Sequence, residues 1–150
     1  MELVISDASC LIALEDIGEL RILHGLFSQV VVTDIVREEI QAELPSWIKV
    51  SKDYEARELE ILKLELDMGE ASAIALALKN PGSRIILDER KGRKVAKRLG
   101  LKVIGTLGLI VKAKQKGIIP SGKEVLNKLE NHGFWLSQRM KKSLLIKLGE

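Results

Sequence analysis

Four acids in this chain keep apolar company: Asp7 in "VISDASCLIAL", Glu39 in "IVREEI", Glu70 in "MGEASAIALAL" and Asp88 in "RIILDERKGRKVAKRLG". Asp7 and Asp88 share a local pattern, a short apolar run before the acid and helical spacing after it. That pattern places each at the carboxyl end of a strand. In open α/β sheets, ligand sites form in the crevice beyond those strand ends. A third junction, "KVIGTLGLIVKA", has Gly105 and Thr106 where the other two have acids. Helix capping alone would also account for Asp7, Asp88 and Thr106, at about 1 kcal/mol each.

The other two acids sit on predicted helices. At about 100° per residue, Glu39 falls beside the stripe of Ile35, Val36 and Ile40, while Glu38 points away. Glu70 opens a helix rich in Ala and Leu and shares a face with Ile74 and Ala77; a first-turn Glu also complements the helix dipole. Four carboxylates in one crevice would repel one another unless protonated or bound to cations. Oxygen ligands without Cys or a nearby His suit Mg²⁺ or Mn²⁺ rather than zinc. Such ions activate water and stabilise a leaving oxygen in phosphodiester hydrolysis.

The elements that must position these acids alternate along the chain. Strands are expected near 3–6, 30–32, 48–50, 84–87 and 102–105, and helices near 8–16, 19–26, 34–43, 54–66, 70–79, 89–98 and 106–116. That alternation predicts an α/β protein with a parallel sheet covered by helices. Within "LEILKLELD", Leu62, Leu64 and Leu66 alternate like a strand, but the composition favours a helix.

With 150 residues, 46% of them hydrophobic, one domain with a real core is expected. There are 24 Lys and Arg against 21 Asp and Glu, a formal +3, which permits a polyanionic partner without demanding one. The single cysteine, Cys10, rules out an internal disulfide framework and is expected to be core filler. The N-terminus opens acidic and no apolar run approaches ~18 residues, so neither signal peptide nor membrane span is expected. The expected compartment is the cytoplasm.

Taken in order, "ISDAS", "VREEI", "GEASAIALAL" and "ILDERKGRKVAKRLGLKVIGTLGLI" resemble a PIN domain. The resemblance is to the prokaryotic branch related to VapC-type toxins, in particular a subgroup known as a domain of unknown function that shares the last segment. It runs to about Gly117, and more weakly to the C-terminus. It implies a Rossmann-like three-layer α/β/α sandwich with a central parallel sheet; the chain's length and the pattern of its tail make 1–150 a single domain with 121–150 a C-terminal helical extension. It also implies an acidic Mg²⁺ or Mn²⁺ site of Asp7, Glu39, Glu70 and Asp88, with Ser9 and Thr106 orienting ligands or water. The implied activity is endonucleolytic cleavage of single-stranded RNA, as in toxin–antitoxin toxins. Many PIN domains have Asp where Glu70 stands, and many carry a further acid after the fourth, for which Glu89 is an insecure equivalent.

Beside such a site, Lys91, Arg93 and Lys94 are the expected phosphate contacts, although a basic run is also the ordinary solvated face of a helix. Aromatics make up only 3% of the chain, so base stacking should contribute little. His24, His132, Trp47, Phe134 and Trp135 are expected to be structural or packing residues. Beyond Pro120, Val125, Leu126 and Leu129, then Leu136, Met140, Leu144 and Leu148, repeat at helical spacing and need burial. They could dock on the chain's own sheet layer. The resemblance points instead to a homodimer in which the tail takes part, with a cognate antitoxin as a further partner. The competing readings are a catalytically weak PIN scaffold that binds RNA or protein, and a phosphate-handling doubly wound enzyme or receiver domain. A haloacid-dehalogenase-type phosphatase would want a second Asp two residues after Asp7, where Ser9 stands.

Overall fold

The computed structural model describes residues 2–150. Five strands, β1 (Leu3–Ser6), β2 (Gln29–Thr33), β3 (Ile48–Ser51), β4 (Arg84–Ile86) and β5 (Lys102–Ile104), form one sheet in the order β3-β2-β1-β4-β5. Every neighbouring pair is parallel. Parallel strands need crossovers, and the helices supply them. The crossover helices are α1 (Ala8–Asp16), α2 (Arg21–Leu26), α3 (Asp34–Glu39), α4 (Ala56–Leu62), α5 (Met68–Lys79) and α6 (Arg90–Arg98); α7 (Thr106–Gln115), α8 (Gly122–Asn131) and α9 (Gln138–Leu148) follow the last strand.

The three layers follow from the two-residue period of a strand. Val4, Val30, Val32, Ile86 and Ile104 face one way and pack with Leu11 and Leu14 of α1, Ile22 and Leu23 of α2, and Leu109 and Ile110 of α7. Ile5, Ile85 and Leu87 face the other way, against Leu59 of α4, Ala73, Ile74 and Leu76 of α5, and Ala96 of α6. The expected α/β/α sandwich is the observed architecture. Strands buried on both faces read as continuous apolar runs, which is why "LVI" and "RII" were visible as strands.

Several boundaries differ from expectation. α3 stops at Glu39 because Ile40 turns extended (φ −103°, ψ 122°), with Pro45 following soon after. The ambiguous "LEILKLELD" is neither strand nor a helix to its end. α4 closes at Leu62, Leu64 is 82% exposed and Leu66 turns inward. α5 begins at Met68, two residues early, because Asp67 accepts the Glu70 N–H and caps it.

The tail beyond Gly117 docks on the chain's own sheet layer, one of the two placements its apolar stripes allow. Val125, Leu126, Leu129 and Leu148 are buried in the same cluster as Val4 and Leu11, with Leu136, Leu144 and Leu145 packed against it. Trp135 departs from its expected packing role and is 75% exposed, in the irregular segment between α8 and α9. Among the described residues, no helix is long and apolar enough to cross a membrane.

Candidate active site

The strand order turns between β1 and β4: β2 and β3 extend from one side of β1, and β4 and β5 from the other. At such a switch point the crossovers diverge and leave a crevice above the strand ends. Asp7 follows β1 directly, its N–H continuing the ladder to Ile86 O at 3.3 Å. Its Oδ1 accepts the Cys10 N–H at 3.0 Å, so it caps α1 as well as facing the crevice. Burial pushes the Asp7 carboxyl up to about 7, against the lowering effect of the Cys10 amide, and the charges of Asp88 and Asp67 add to the rise. Cys10, beneath it, is fully buried as expected, and burial raises its thiol further still.

Asp88 comes from the end of β4, but it does not cap the helix that follows it. Glu89 does that, accepting the Gly92 N–H at 2.9 Å. Asp88 reaches across to the start of α7 instead. Its Oδ1 accepts the Thr106 N–H at 2.8 Å and its Oδ2 accepts the buried Thr106 hydroxyl at 2.5 Å. Thr106, an expected supporting residue, is thus placed against Asp88 and holds both of its carboxylate oxygens. Gly105 permits the approach, since a Cβ there would lie 3.0 Å from Asp88 Oδ1.

Glu39 and Glu70 are carried in from the helices beside β2. A buried contact of 2.7 Å between the hydroxyls of Thr33, at the end of β2, and Ser72 ties α3 to α5. Thr33 also caps α3 through the Val36 N–H, and Ser72 donates to Gly69 O. With the helices so joined, the Glu39 carboxylate lies directly over Gly69, where any Cβ would collide with it. Glu39 is exposed as a residue, yet its carboxyl is raised, first by local burial and then by the charge of Asp67. Glu70 is pushed up to about 7, chiefly by burial, then by the charges of Asp67, Glu89 and Asp7, and by a hydrogen bond shared with Asp67. Its carboxylate rests on α6, where a Cβ on Gly92 would meet Glu70 Oε2 at 2.9 Å.

Asp67 therefore belongs to this group and was not among the expected residues. It acts electrically on Asp7, Glu39 and Glu70 alike. The sequence signal was its spacing, an acid three residues before Glu70 at a helix start. Ser9, expected to assist, is exposed and lies in a groove with Asp16, Leu129, His132 and Phe134; it makes no hydrogen bond to these acids. Glu89 is occupied with capping, and the Gly92 and Lys91 amides lower its pKa. His24 stacks against Trp47 at 4.6 Å between ring centroids, and the His132 ring contacts Lys128 O at 2.9 Å. Both are structural, as expected.

The basic run forms one wall of a cleft of about 660 Å³ that begins at Asp88 and is lined by Arg90, Arg93, Lys94 and Lys97. Lys91 is exposed on α6 outside that lining. Arg93 is half-buried, with Nη1 donating to Leu87 O at 2.7 Å.

The acids that feel one another's charge here, Asp7, Asp67, Glu70 and Asp88, offer carboxylate oxygens, the hard donors that Mg²⁺ and Mn²⁺ prefer. Burial first, and then the charges of neighbouring acids, raise Asp7 and Glu70 to about 7, and a bound cation would offset that cost. Among the described residues, no three His, Cys, Asp or Glu side chains are already closed around a metal position. The donor set fits such an ion in chemistry.

A doubly wound parallel sheet with acids gathered at its switch point defines a class: α/β proteins whose ligand lies over the strand ends. A family model described as a PIN domain matches residues 3–150, and the chain belongs to the PIN domain family. PIN domains are generally nucleases, so membership supports a nuclease-type role. No curated protein and no solved structure matches the chain.

Proposed function

We propose that this PIN domain is a Mg²⁺- or Mn²⁺-dependent endoribonuclease that cleaves single-stranded RNA, and a toxin–antitoxin toxin or a relative of one. The observation that carries the proposal is the buried, raised carboxyl of Asp7 beside Asp88 at the switch point, next to a cationic cleft. Asp7, Glu39, Glu70 and Asp88 would hold the ion, which when bound activates water and stabilises the leaving oxygen. Thr106 fixes the plane of the Asp88 carboxylate through two hydrogen bonds. Asp67 keeps the first turn of α5, and hence Glu70, in place. Lys94 and Lys97 draw the RNA backbone along α6. A homodimer, a cognate antitoxin and a cytoplasmic setting belong to the same proposal.

The test is cleavage of a labelled single-stranded RNA with and without added Mg²⁺ or Mn²⁺, by the native chain and by Asp7→Asn. Cleavage that needs the ion and disappears in a folded Asp7→Asn supports the proposal. Cleavage that persists in Asp7→Asn, or in chelator, defeats it.

A further inference from the structure

Asp88 and Arg93 stand on a rim shared by two clefts. The first is the cationic one along α6. The second, about 410 Å³, runs the other way between β5, the start of α7 and α9. Its walls are Val103, Ile104, Leu107 and Met140, with the bare backbones of Gly105 and Gly108 between them. The only charged side chains that line it are the two on the shared rim.

Arg93 is not a free tether on that rim. Besides the hydrogen bond from Nη1 to Leu87 O, its guanidinium is pressed against Gly105, where a Cβ would lie 2.8 Å from the same nitrogen. One donor is spent on the fold, and the planar group is held still at the mouth of the apolar groove. A nucleotide has the matching duality: a charged phosphate joined to a flat, largely apolar base. Proteins that bind single-stranded RNA stack its bases on aromatic rings or on arginine planes. No aromatic lines this groove, so the fixed guanidinium is the surface on offer, and the thioether of Met140 suits a ring edge.

We propose that the groove between β5, α7 and α9 is a nucleobase subsite, with the base on the Arg93 plane and its phosphate in the α6 cleft. The inference rests on the ribonuclease reading and assigns one part of the substrate to one place. Arg93 thereby changes role, from a phosphate ligand to the platform between phosphate and base. Because the walls offer few polar side chains, the subsite recognises a base by shape rather than by its hydrogen-bonding edge.

The experiment compares uridine 5′-monophosphate with ribose 5-phosphate, which carries the same phosphate and no base. Binding to the full chain is followed by NMR titration in chelator, together with binding of a single-stranded RNA. The nucleotide should bind at least about fivefold tighter than the sugar phosphate, the low end of what one stacked base contributes. Met140→Ala changes an exposed residue and should leave the fold intact; in it the preference should shrink while ribose 5-phosphate binding stays unchanged. Leu107→Ala should act in the same direction. Equal affinity for the two probes in a chain that still binds RNA overturns the subsite alone, as does a preference that survives both substitutions. A chain that binds no single-stranded RNA overturns the ribonuclease reading with it.

Discussion

Thr106 gives both its backbone N–H and its hydroxyl to a single carboxylate, that of Asp88, eighteen positions earlier in the chain. A hydrogen bond to a charged acceptor contributes about 1.5–3 kcal/mol, and here it also sets which way the second oxygen points. Thr106→Val keeps the shape and removes the hydroxyl. RNA cleavage should fall by roughly tenfold or more if about 1.4 kcal/mol of positioning is lost, and Thr106→Ser should restore most of it. Urea unfolding alongside the cleavage assay separates the positioning loss from simple destabilisation.

The glycine under Glu70 sets two effects against each other. Gly92 lies inside α6, where Ala is intrinsically better by about 0.8–1.0 kcal/mol. Its Cβ would nevertheless lie 2.9 Å from Glu70 Oε2. Gly92→Ala should therefore keep a folded, helical chain yet weaken divalent-ion binding. Calorimetric titration with Mn²⁺ and far-ultraviolet circular dichroism read the two effects apart. Unchanged Mn²⁺ affinity would remove Glu70 from the ligand set.

Asp7 and Glu70, both raised to about 7, make a prediction about pH with a definite sign. A carboxyl raised on folding holds its proton longer in the folded chain than in the unfolded one. Its stabilising contribution is complete below the unfolded value near 4 and is lost as pH rises through about 7. In chelator, the melting temperature should drop between pH 5 and pH 8. Asp7→Asn should flatten that drop and be the more stable chain at pH 8. Mn²⁺ affinity should move oppositely, rising by up to roughly tenfold per pH unit for each proton displaced. Calorimetry at pH 5.5, 7 and 8 checks both trends, and a pH-independent melting temperature would contradict the burial of Asp7.

The two adjacent glutamates at the end of α3 supply an internal control. Glu39 lies on Gly69, whereas Glu38 is exposed and away from that contact. Glu39→Gln should reduce cleavage severely and Glu38→Gln by less than about twofold, a change within the ±0.5 kcal/mol usual for surface substitutions. Equal losses would show that the contact with Gly69 does not bring Glu39 into the site.

Lys94 faces the cationic cleft without a structural duty of the kind Arg93 has. Lys94→Ala should lower the salt dependence of RNA binding by about 0.7 in log–log slope, the value for one phosphate on a single strand. A slope equal to that of the native chain would take Lys94 off the phosphate path.

What could be seen in the sequence was whatever local pattern determines. Asp7 and Asp88 stood out because each abuts an apolar run, and helix phase separated Glu39 from Glu38 even though α3 ends sooner than expected. Asp67 escaped because α5 was started at Glu70, leaving its cap attached to the preceding leucine-rich segment. The glycines beneath Glu39, Glu70 and Asp88 were illegible for a different reason. Each contact joins elements far apart in the chain, and no spacing rule carries that information. The stripes of the tail show that burial is needed but not where; docking on the chain's own sheet layer is the one of the two readings that the core contains.

The strand order also governs when the site can exist. Val4 pairs with Arg84 across more than half of the chain's length, so the crevice between β1 and β4 closes only after that distant pairing. Thr106, which holds Asp88, emerges later still during synthesis. A nascent chain that has delivered Asp7, Glu39 and Glu70 into the open still lacks the strand that seats its fourth acid. Pairing over such distances is slow relative to local helix formation. The growing polypeptide thus lacks the finished crevice for most of its time on the ribosome, and whatever that crevice holds can be bound only once synthesis is nearly over.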